Sequence, residues 1–134
     1  RLSIKPGRPM AGGIRSGKPV MCVPGNPVAA FVCYRLAAAP VLDRMAGGIA
    51  RPLLRPRVKC GFDHRKSAGR AEYLRVKVTT DATGEPEMHL HGRKGAGVLS
   101  SLTGADGLVE IPVENTGVAV GDYLPFIPFR ESGL

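Results

Sequence analysis

Residues 5–27 read KPGRPMAGGIRSGKPVMCVPGNP, a stretch that begins and ends with a Pro-Gly turn. In the first turn, prolines fix the backbone on both sides and Gly7 permits a tight bend, so the two basic side chains should project from a stiff loop. In the second, Asn26 suits an N-cap and Pro27 suits the first helical position. A helix is therefore predicted to begin at Pro27.

Candidate anion-binding residues occur in both turns: Lys5 and Arg8 in the first, Gly25 and Asn26 in the second. Free backbone amides and the positive end of a helix dipole favour a negatively charged ligand at a helix start. Simpler roles remain open, because Lys5 and Arg8 also suit a solvent-exposed turn and capping alone accounts for Asn26. The stretch predicts a cradle for an oxyanion, with those simpler roles as the alternative.

The charge of the chain is distributed unevenly. The net charge of the 134 residues is +8, yet residues 1–42 contain six Lys or Arg and no Asp or Glu. Asp43 is the first carboxylate, and every other one lies at Asp63 or later. A basic first third and a mixed remainder indicate two units with different roles and an anionic partner. Charge alone leaves nucleic acid, phosphate and a small oxyanion open.

The cysteines and the apolar runs indicate the compartment. Cys22, Cys33 and Cys60 make an odd number without a C-x-x-C pair, which argues against a disulfide framework and a zinc site. They are expected to be reduced, buried thiols in a cytoplasmic protein. No apolar run reaches about 18 residues, so no membrane span is predicted. Because the chain opens without Met in the middle of a pattern, it is expected to be a fragment of a longer protein.

The first 50 residues carry an α/β pattern, in which Ser16 and Gly17 predict a hairpin turn. Residues 19–23 (PVMCV) form a short apolar run between turn residues, which predicts a buried strand in a sheet covered on both faces. Residues 27–45 are apolar almost all round and predict one long, heavily buried helix, which Pro40 would kink or split and Gly47 and Gly48 would end. Strand, turn and helix in this order are half of a βαβ unit.

From Val58 onward the apolar period is that of strands. Short runs are bounded by turn residues at regular intervals, and the clearest reads RAEYLRVKVT. Pro125 and Pro128 in the last run predict an edge or terminal strand. The predicted strands are residues 58–62, 70–79, 87–91, 108–111 and 123–129. This pattern predicts a small barrel or sandwich.

Five motifs in a fixed order carry a resemblance to a known family. The order KPGRP, VPGNPVAAFVCYRL, GRAEYLRV, GRKGAGVLSSLTGADGLVEIP and VAVGDYLPFIPF resembles the C-terminal part of the molybdopterin molybdenumtransferases, the bacterial relatives of gephyrin E domains. That family has Lys-Pro-Gly-Lys-Pro, Leu-Pro-Gly-Asn-Pro-Val-Ser, Gly-Arg-x-Glu-Phe-x-Arg and a Gly-x-Gln-Gly-Ser loop in the same order. The match covers essentially the whole chain.

The resemblance implies a fold and an activity. Residues 1–50 would be the C-terminal part of the α/β molybdopterin-binding domain, and residues 51–134 the C-terminal β-barrel domain. Such enzymes insert molybdate into adenylylated molybdopterin and release AMP, usually with Mg²⁺, and they are homodimers. The Mg²⁺ ligands would lie upstream of this chain, so the resemblance implies that the fragment is inactive alone.

The resemblance also implies a molybdate site made of charges. Lys5 and Arg8 match the two family lysines that face molybdate, and Arg75 matches the last arginine of Gly-Arg-x-Glu-Phe-x-Arg. Ala96 stands where the family has a serine, which removes a hydroxyl donor, and neighbouring backbone amides could replace it. No residue here is assigned as nucleophile, general base or metal ligand. The expected molybdate-binding residues are Lys5, Arg8, Pro9, Arg75, Gly95 and Ala96.

Other functions and other sites are kept as alternatives. A basic β-barrel could bind nucleic acid, although such barrels stack bases on exposed aromatic side chains and the aromatics here lie mostly in apolar runs. A gephyrin-like scaffold role is the other alternative. His89 and His91 point to one face of a strand and could bind a metal, but an exposed strand face is favoured. Asp106 and Glu110 are expected to have solvated or capping roles.

Overall fold

The computed structural model describes residues 2–49, 52–92 and 99–130. The first part contains the strands β1 (Ile4–Lys5), β2 (Ala11–Arg15) and β3 (Lys18–Cys22), then a helical segment made of α1 (Pro27–Cys33), a π-helical turn (Tyr34–Ala38) and α2 (Ala39–Met45). The second part contains β4 (Arg57–Cys60), β5 (His64–Arg65), β6 (Ala71–Thr80), β7 (Pro86–Leu90), α3 (Ser100–Thr103), β8 (Gly107–Ile111), β9 (Gly117–Val118) and β10 (Tyr123–Pro128).

Five strands close into a small barrel in the order β6, β7, β4, β10 and β8, and β8 returns to β6. The ten-residue β6 makes closure possible because its first half pairs with β8 and its second half with β7. All of these pairs are antiparallel except β4 with β7. The short strands β5 and β9 form a separate antiparallel pair. The predicted small barrel is confirmed.

The barrel has its own apolar core. Side chains alternate along β6, so Leu74, Val76 and Val78 point into the barrel. Ala71 and Tyr73 point to the outer face of the barrel. Burial of an aliphatic side chain of this size stabilises a fold by about 1.5–3 kcal/mol, so a core of this size can hold a small domain. The buried core residues are Cys60, Phe62, Val76, Met88, Val109, Ile111, Val118, Leu124 and Phe126.

The two prolines of β10 do not make it an edge strand, so that prediction is wrong. β10 lies between β4 and β8, but it changes partner halfway. Tyr123, Leu124 and Pro125 are in register with β4, whereas the next three residues, ending at Pro128, are in register with β8. Each proline therefore stands in a segment that is paired on one side only, where its missing N–H leaves no ladder bond unmade.

The helix docks on the outer face of the barrel through a second apolar cluster. Val32 of α1 packs there with Ala71, Tyr73, Leu108 and Ile127. The rings of Phe31 and Phe129 meet edge to face with centroids 4.9 Å apart. Arg35 Nη2 donates to Pro128 O at 3.0 Å. These contacts join α1 to β6, β8 and β10.

The predicted helix over residues 27–45 is confirmed, together with its start and end. Pro40 does not stop it, because the helix widens by one residue upstream: the N–H of Ala39 donates to Tyr34 O, five residues back. Gly47 ends it with φ of +83°. The prediction of heavy burial is right for α1 and wrong for α2, in which no residue is buried. The contacts with the barrel come from α1 and from the π-helical turn, through Arg35 and Leu36.

The apolar run at residues 19–23 is not a buried strand. β3 forms a two-stranded antiparallel hairpin with β2, and Ser16 and Gly17 make the predicted turn with positive φ. Ile14 is 81% exposed and Val20 is 44% exposed. An apolar run predicts burial only where another layer covers it, and in the described ranges no layer covers this hairpin.

The three cysteines are free thiols, as expected, but they differ in exposure. Cys33 and Cys60 are fully buried, whereas Cys22, in the open hairpin, is exposed, so the prediction of three buried thiols is wrong for Cys22. Burial raises the pKa of the Cys33 thiol. Burial and the nearby Asp122 carboxylate raise the pKa of the Cys60 thiol to about 11.

Over the described ranges, no helix has both the length and the apolar character needed to cross a bilayer.

Candidate functional site

The KPGRP loop is fastened to the barrel by its first residues. β1 runs parallel to β6, with Ile4 in register with Ala71 and Lys5 in register with Glu72. The N–H of Ala71 donates to Ser3 O at 2.9 Å. β1 therefore extends the barrel sheet along the start of β6, and it places the first basic loop directly beside the GRAEYLR motif.

Gly7 fits the loop against helix α1, as the Pro-Gly turn predicts. Its φ is +122°, and a Cβ atom there would lie 2.8 Å from both Cys33 Sγ and Ile4 Cδ1. The buried Cys33 thiol donates to Gly7 O at 3.6 Å, and the N–H of Met10 donates to the same oxygen at 3.1 Å. Only glycine satisfies both the backbone angle and the space.

Lys5 is ion-paired with a buried carboxylate. Its Nζ lies 3.1 Å from Glu72 Oε1, and His64 Nε2 hydrogen-bonds Glu72 Oε2 at 3.1 Å. The side chain of Glu72 is only 7% exposed, whereas that of Lys5 is 62% exposed. Burial alone would raise the pKa of Glu72, but the hydrogen bonds from His64 and Lys5 and the charge of Lys5 outweigh it and hold the pKa below its ordinary value.

Arg8 and Pro9 lie on the exposed side of the same loop. Pro9 lines a mostly apolar cleft of about 530 Å³, whose other lining residues are Leu2, Met10, Ala11, Gly12 and Ala37. A larger cleft of about 660 Å³ lies beside α3 and the end of β10. Among the predicted site residues that the structure describes, Pro9 is the one that lines either of these two clefts.

Arg75 lies on β6, three residues beyond the register partner of Lys5. At about 3.3 Å per residue, the Cα atoms of Glu72 and Arg75 are roughly 10 Å apart along the strand. Alternation puts Arg75 on the same side of β6 as Tyr73, opposite to Glu72. Lys5 is the register partner of Glu72, so the structure does not bring Lys5 and Arg75 together on one face of β6. Their joint role remains a prediction.

The helix start at Asn26 is a well-formed cap. Asn26 Oδ1 accepts the N–H groups of Val28 at 3.0 Å and Ala29 at 3.3 Å, which confirms the N-cap prediction. These two amides are thus already bonded within the chain. Anion binding at Gly25 and Asn26 stays a prediction, as does the loop at Gly95 and Ala96, which lies outside the described residues.

The remaining polar candidates have local partners. Asp106 accepts the backbone N–H of Val78 at 2.9 Å, which fits the predicted capping role. Glu110 is ion-paired with Arg55 and its side chain is only 18% exposed, so the prediction of a capping or solvated role does not hold for it. His89 Nε2 lies 2.9 Å from Glu87 Oε1. In the part of the chain that the structure describes, no three His, Cys, Asp or Glu side chains are grouped closely enough to hold a metal ion.

Two residues of this region received no role from the sequence. Glu72 is the central acid of GRAEYLR, and the family motif Gly-Arg-x-Glu-Phe-x-Arg contains the same residue, which is the signal that could have found it. His64 belongs to no motif, and only the pairing of β5 with β9 brings it to the carboxylate. Together they form a hydrogen-bonded pair behind Lys5.

Comparison with known protein families identifies the barrel. The family described as "MoeA C-terminal region (domain IV)" matches residues 57–129, more than half of the chain. This range begins at the first barrel strand and ends just after the last one. The sequence match and the closed barrel therefore delimit the same unit.

Curated relatives match nearly the whole chain but extend well beyond it. The chain is 35% identical over 124 residues to the Molybdenum cofactor synthesis protein cinnamon of Drosophila melanogaster, covering 87% of this chain and 19% of that protein. It is 30% identical over 131 residues to Molybdopterin molybdenumtransferase 2 of Mycobacterium tuberculosis, covering 92% and 30%. The chain thus spans less than a third of the length of these two relatives.

A solved structure agrees with these sequence matches. The chain superposes on the molybdopterin biosynthesis moeA protein from Pyrococcus horikoshii OT3 with a TM-score of 0.74 and 26% identity, over 95% of this chain and 31% of the other. The superposed region includes the N-terminal loop and helix as well as the barrel. The chain belongs to the MoeA family, the molybdopterin molybdenumtransferases and their relatives, and residues 57–129 are its domain IV.

Proposed function

We propose that this chain acts in molybdenum cofactor biosynthesis, as part of a transferase that inserts molybdate into adenylylated molybdopterin and releases AMP. The observation that carries the proposal is the register of β1 on β6, which places KPGRP beside GRAEYLR. Two basic motifs that are far apart in the sequence thereby lie on adjacent strands. The names of the curated relatives support the same reaction.

The chain's contribution to this reaction is electrostatic. Molybdate is a tetrahedral dianion, and Lys5, Arg8 and Arg75 would supply charged N–H donors to its oxygens. Arg8 presents a planar fork where the family motif has a lysine, so it keeps the charge and changes the donor geometry. In this proposal the residues bind and orient the oxyanion, and none of them acts as nucleophile or general base.

The proposal also covers the rest of the enzyme. Residues 1–50 would be the C-terminal part of the α/β molybdopterin-binding domain, and residues 51–134 the barrel domain. In this proposal, which follows the family resemblance, the Mg²⁺ ligands lie outside this chain, and we expect the chain to be inactive alone. A homodimer and a cytoplasmic location, the latter supported by the free thiols, complete the proposal.

A nucleic-acid-binding role is not favoured. Single-stranded nucleic acids stack on exposed aromatic side chains, and the two most exposed aromatics are Tyr34 on the helix and Tyr123 on β10. Tyr123 Oη donates to Glu85 Oε1 at 2.5 Å, which adds a carboxylate where a phosphate backbone would pass. The relatives' names point to cofactor biosynthesis rather than to a scaffold or a nucleic-acid function.

The proposal is tested by titrating the ¹⁵N-labelled chain with sodium molybdate at constant ionic strength and following amide shifts by NMR. We expect shifts concentrated at Lys5, Arg8 and Arg75, and about tenfold weaker binding in Lys5→Ala and Arg75→Ala. Lys18→Ala, which removes an exposed charge from the hairpin, is the matched control and should bind like the parent. Shifts spread over all basic residues, or none up to tens of millimolar molybdate, would refute the proposed site.

Two further measurements test the alternatives. A short oligonucleotide at the same phosphate concentration should produce no localised shift, and a localised one would favour the nucleic-acid role. Molybdate-dependent release of AMP from adenylylated molybdopterin should be absent with this chain alone. Turnover by the chain alone would contradict its assignment as an incomplete part of the enzyme.

A further inference from the structure

Glu72 lies at the seam between the N-terminal loop and the barrel. It belongs to β6, its Oε1 lies 3.1 Å from Lys5 Nζ on β1, and its Oε2 lies 3.1 Å from His64 Nε2 on β5. Three strands that are separate in the sequence thus meet at one carboxylate. The residue as a whole is only 5% exposed, and it is the buried charged residue of the described chain.

A carboxylate in such a place requires partners. Removing an ionised group from water is costly unless charged hydrogen bonds replace its hydration, and here both oxygens are occupied. The residues directly opposite in the paired strands are apolar: Ile111 of β8 is opposite Glu72, and Val118 of β9 is opposite His64. The ionised state of Glu72 therefore depends on Lys5 and His64.

The lysine end of this chain of contacts faces solvent. An ammonium group has three N–H donors, and one of them is directed at Glu72. Because the Lys5 side chain is 62% exposed, the other two donors are available to a ligand outside. A flexible lysine without such an anchor would lose rotamer entropy on binding an anion, at a cost of up to about 2 kcal/mol.

We propose that Glu72 is a positioning residue for Lys5: backed by His64, it holds the ammonium group in the direction in which it meets the oxyanion. This inference deepens the proposed function and rests on it for the identity of the ligand. It explains why the Glu72 carboxylate lies beside a proposed anion-binding lysine, although the negative charge of the carboxylate would by itself repel an anion. His64 in turn occupies the second oxygen of the Glu72 carboxylate.

The proposal and a simple charge argument predict opposite signs. If only net charge matters, Glu72→Gln removes a negative charge near the anion and molybdate binds more tightly. If Glu72 positions Lys5, the same substitution weakens molybdate binding about tenfold, the worth of one charged hydrogen bond. Glu72→Asp keeps the charge but withdraws the carboxylate by one methylene, so it should weaken binding as well.

The experiment measures molybdate affinity by NMR titration of the whole chain for Glu72→Gln, Glu72→Asp, and Lys5→Ala with and without Glu72→Gln. Glu110→Gln is the matched control, because Glu110 is a carboxylate on the adjacent β8 that pairs with Arg55. In the Lys5→Ala background, Glu72→Gln should cause no further weakening. Equal or tighter binding in folded Glu72→Gln and Glu72→Asp would overturn the proposal.

A second readout does not depend on molybdate. The ¹H–¹⁵N signal of the Lys5 ammonium group should be observable in the parent chain and in Glu110→Gln, since its hydrogen bond slows proton exchange, and it should be lost in Glu72→Gln. If the parent shows no localised molybdate binding, the proposed function fails, and this signal still decides whether Glu72 holds Lys5. An unchanged Lys5 signal in Glu72→Gln would overturn the positioning role.

His64→Ala tests the His64 part of the proposal. It removes the hydrogen bond to Glu72 Oε2, so it should weaken molybdate binding in the same direction as Glu72→Gln. Molybdate binding equal to that of the parent would refute a role for His64.

Discussion

The barrel and the segment before it are both rich in apolar residues, but the barrel buries far more of these side chains than the segment does. Within the barrel, nine residues form one buried cluster. In the segment over residues 2–49, Ile14 is 81% exposed, Met45 is 59% exposed and Ile49 is 85% exposed. The difference follows from topology: five strands close on themselves, whereas in the described chain the β2–β3 hairpin has no covered side and the helix is covered on one side only.

The segment over residues 2–49 is held against the barrel by an apolar contact and by a short strand pairing. Its helix contributes Val32 to a cluster whose other buried members all belong to the barrel. Its strand β1 pairs with β6 through only two residues, and the ion pair of Lys5 with Glu72 lies at that point. The barrel is thus expected to be stable on its own core, and the segment is expected to depend on docking to the barrel.

The largest effect should come from a barrel core residue. Ile111→Ala removes a fully buried side chain and is expected to lower the free energy of unfolding by about 2–5 kcal/mol. Ile14→Ala makes the same chemical change in the exposed hairpin and should stay within about 0.5 kcal/mol of the parent. Urea unfolding followed by circular dichroism measures both. Similar losses for the two variants would show that the hairpin is buried in solution and would remove the contrast.

The next effect concerns the loop that joins the two regions. Gly7→Ala places a methyl group 2.8 Å from Cys33 Sγ and Ile4 Cδ1 at a positive φ, so it should cost about 1–3 kcal/mol. Gly13→Ala is the matched control, because a Cβ atom there meets nothing within 4 Å. Amide hydrogen exchange should show the Gly7→Ala loss in β1 and α1 and leave the barrel strands protected. A loss spread evenly over the barrel would show that the two regions unfold as one.

Thiol labelling can separate the two regions directly, since each contains one fully buried cysteine. Exposed Cys22 should react first with iodoacetamide. Cys33 should react when the segment leaves the barrel, and Cys60 only when the barrel itself opens. We expect Cys60 to react at least about tenfold more slowly than Cys33, a difference of about 1.4 kcal/mol in opening free energy. Mass spectrometry of each peptide measures the rates, and equal rates for Cys33 and Cys60 would contradict independent opening.

The sequence predicted the parts of the fold that depend on neighbours along the chain. The N-cap at Asn26, the hairpin turn at Ser16 and Gly17 and the helix end at Gly47 all follow from local backbone preferences, and all are confirmed. What failed depends on contacts across the fold: the burial of residues 19–23 and the place of β10 in the sheet. A pattern of apolar residues predicts which side chains favour burial. It does not predict which other element of the fold will pack against them.

The candidate site divides in the same way. Lys5 and Arg75 were proposed because motifs carry them, and their role stays a prediction. The tight turn at Gly7 is confirmed, because proline and glycine act locally. Glu72 belongs to the GRAEYLR motif but received no role, because its contacts depend on its burial between strands. His64 could not have been found, because the pairing of β5 with β9 that places it involves two residues on each strand.

The smallest expected effect, a dependence on pH, tests the ion pair of Lys5 with Glu72, which joins the two regions. The pKa of Glu72 is lowered in the folded chain, so the unfolded chain binds the proton more readily and stability rises with pH. The contribution is complete above the ordinary glutamate value of about 4.3 and is lost as the pH falls through the lower folded value. The unfolding free energies of the parent and Glu72→Gln should therefore differ by on the order of 1 kcal/mol at pH 6 and converge toward pH 3. Asp81 also has a lowered pKa, but it lies in the barrel and changes both proteins alike, so it cancels in this difference. A difference between the two proteins that is the same at pH 6 and pH 3 would mean that Glu72 joins the segment to the barrel by packing and not by charge.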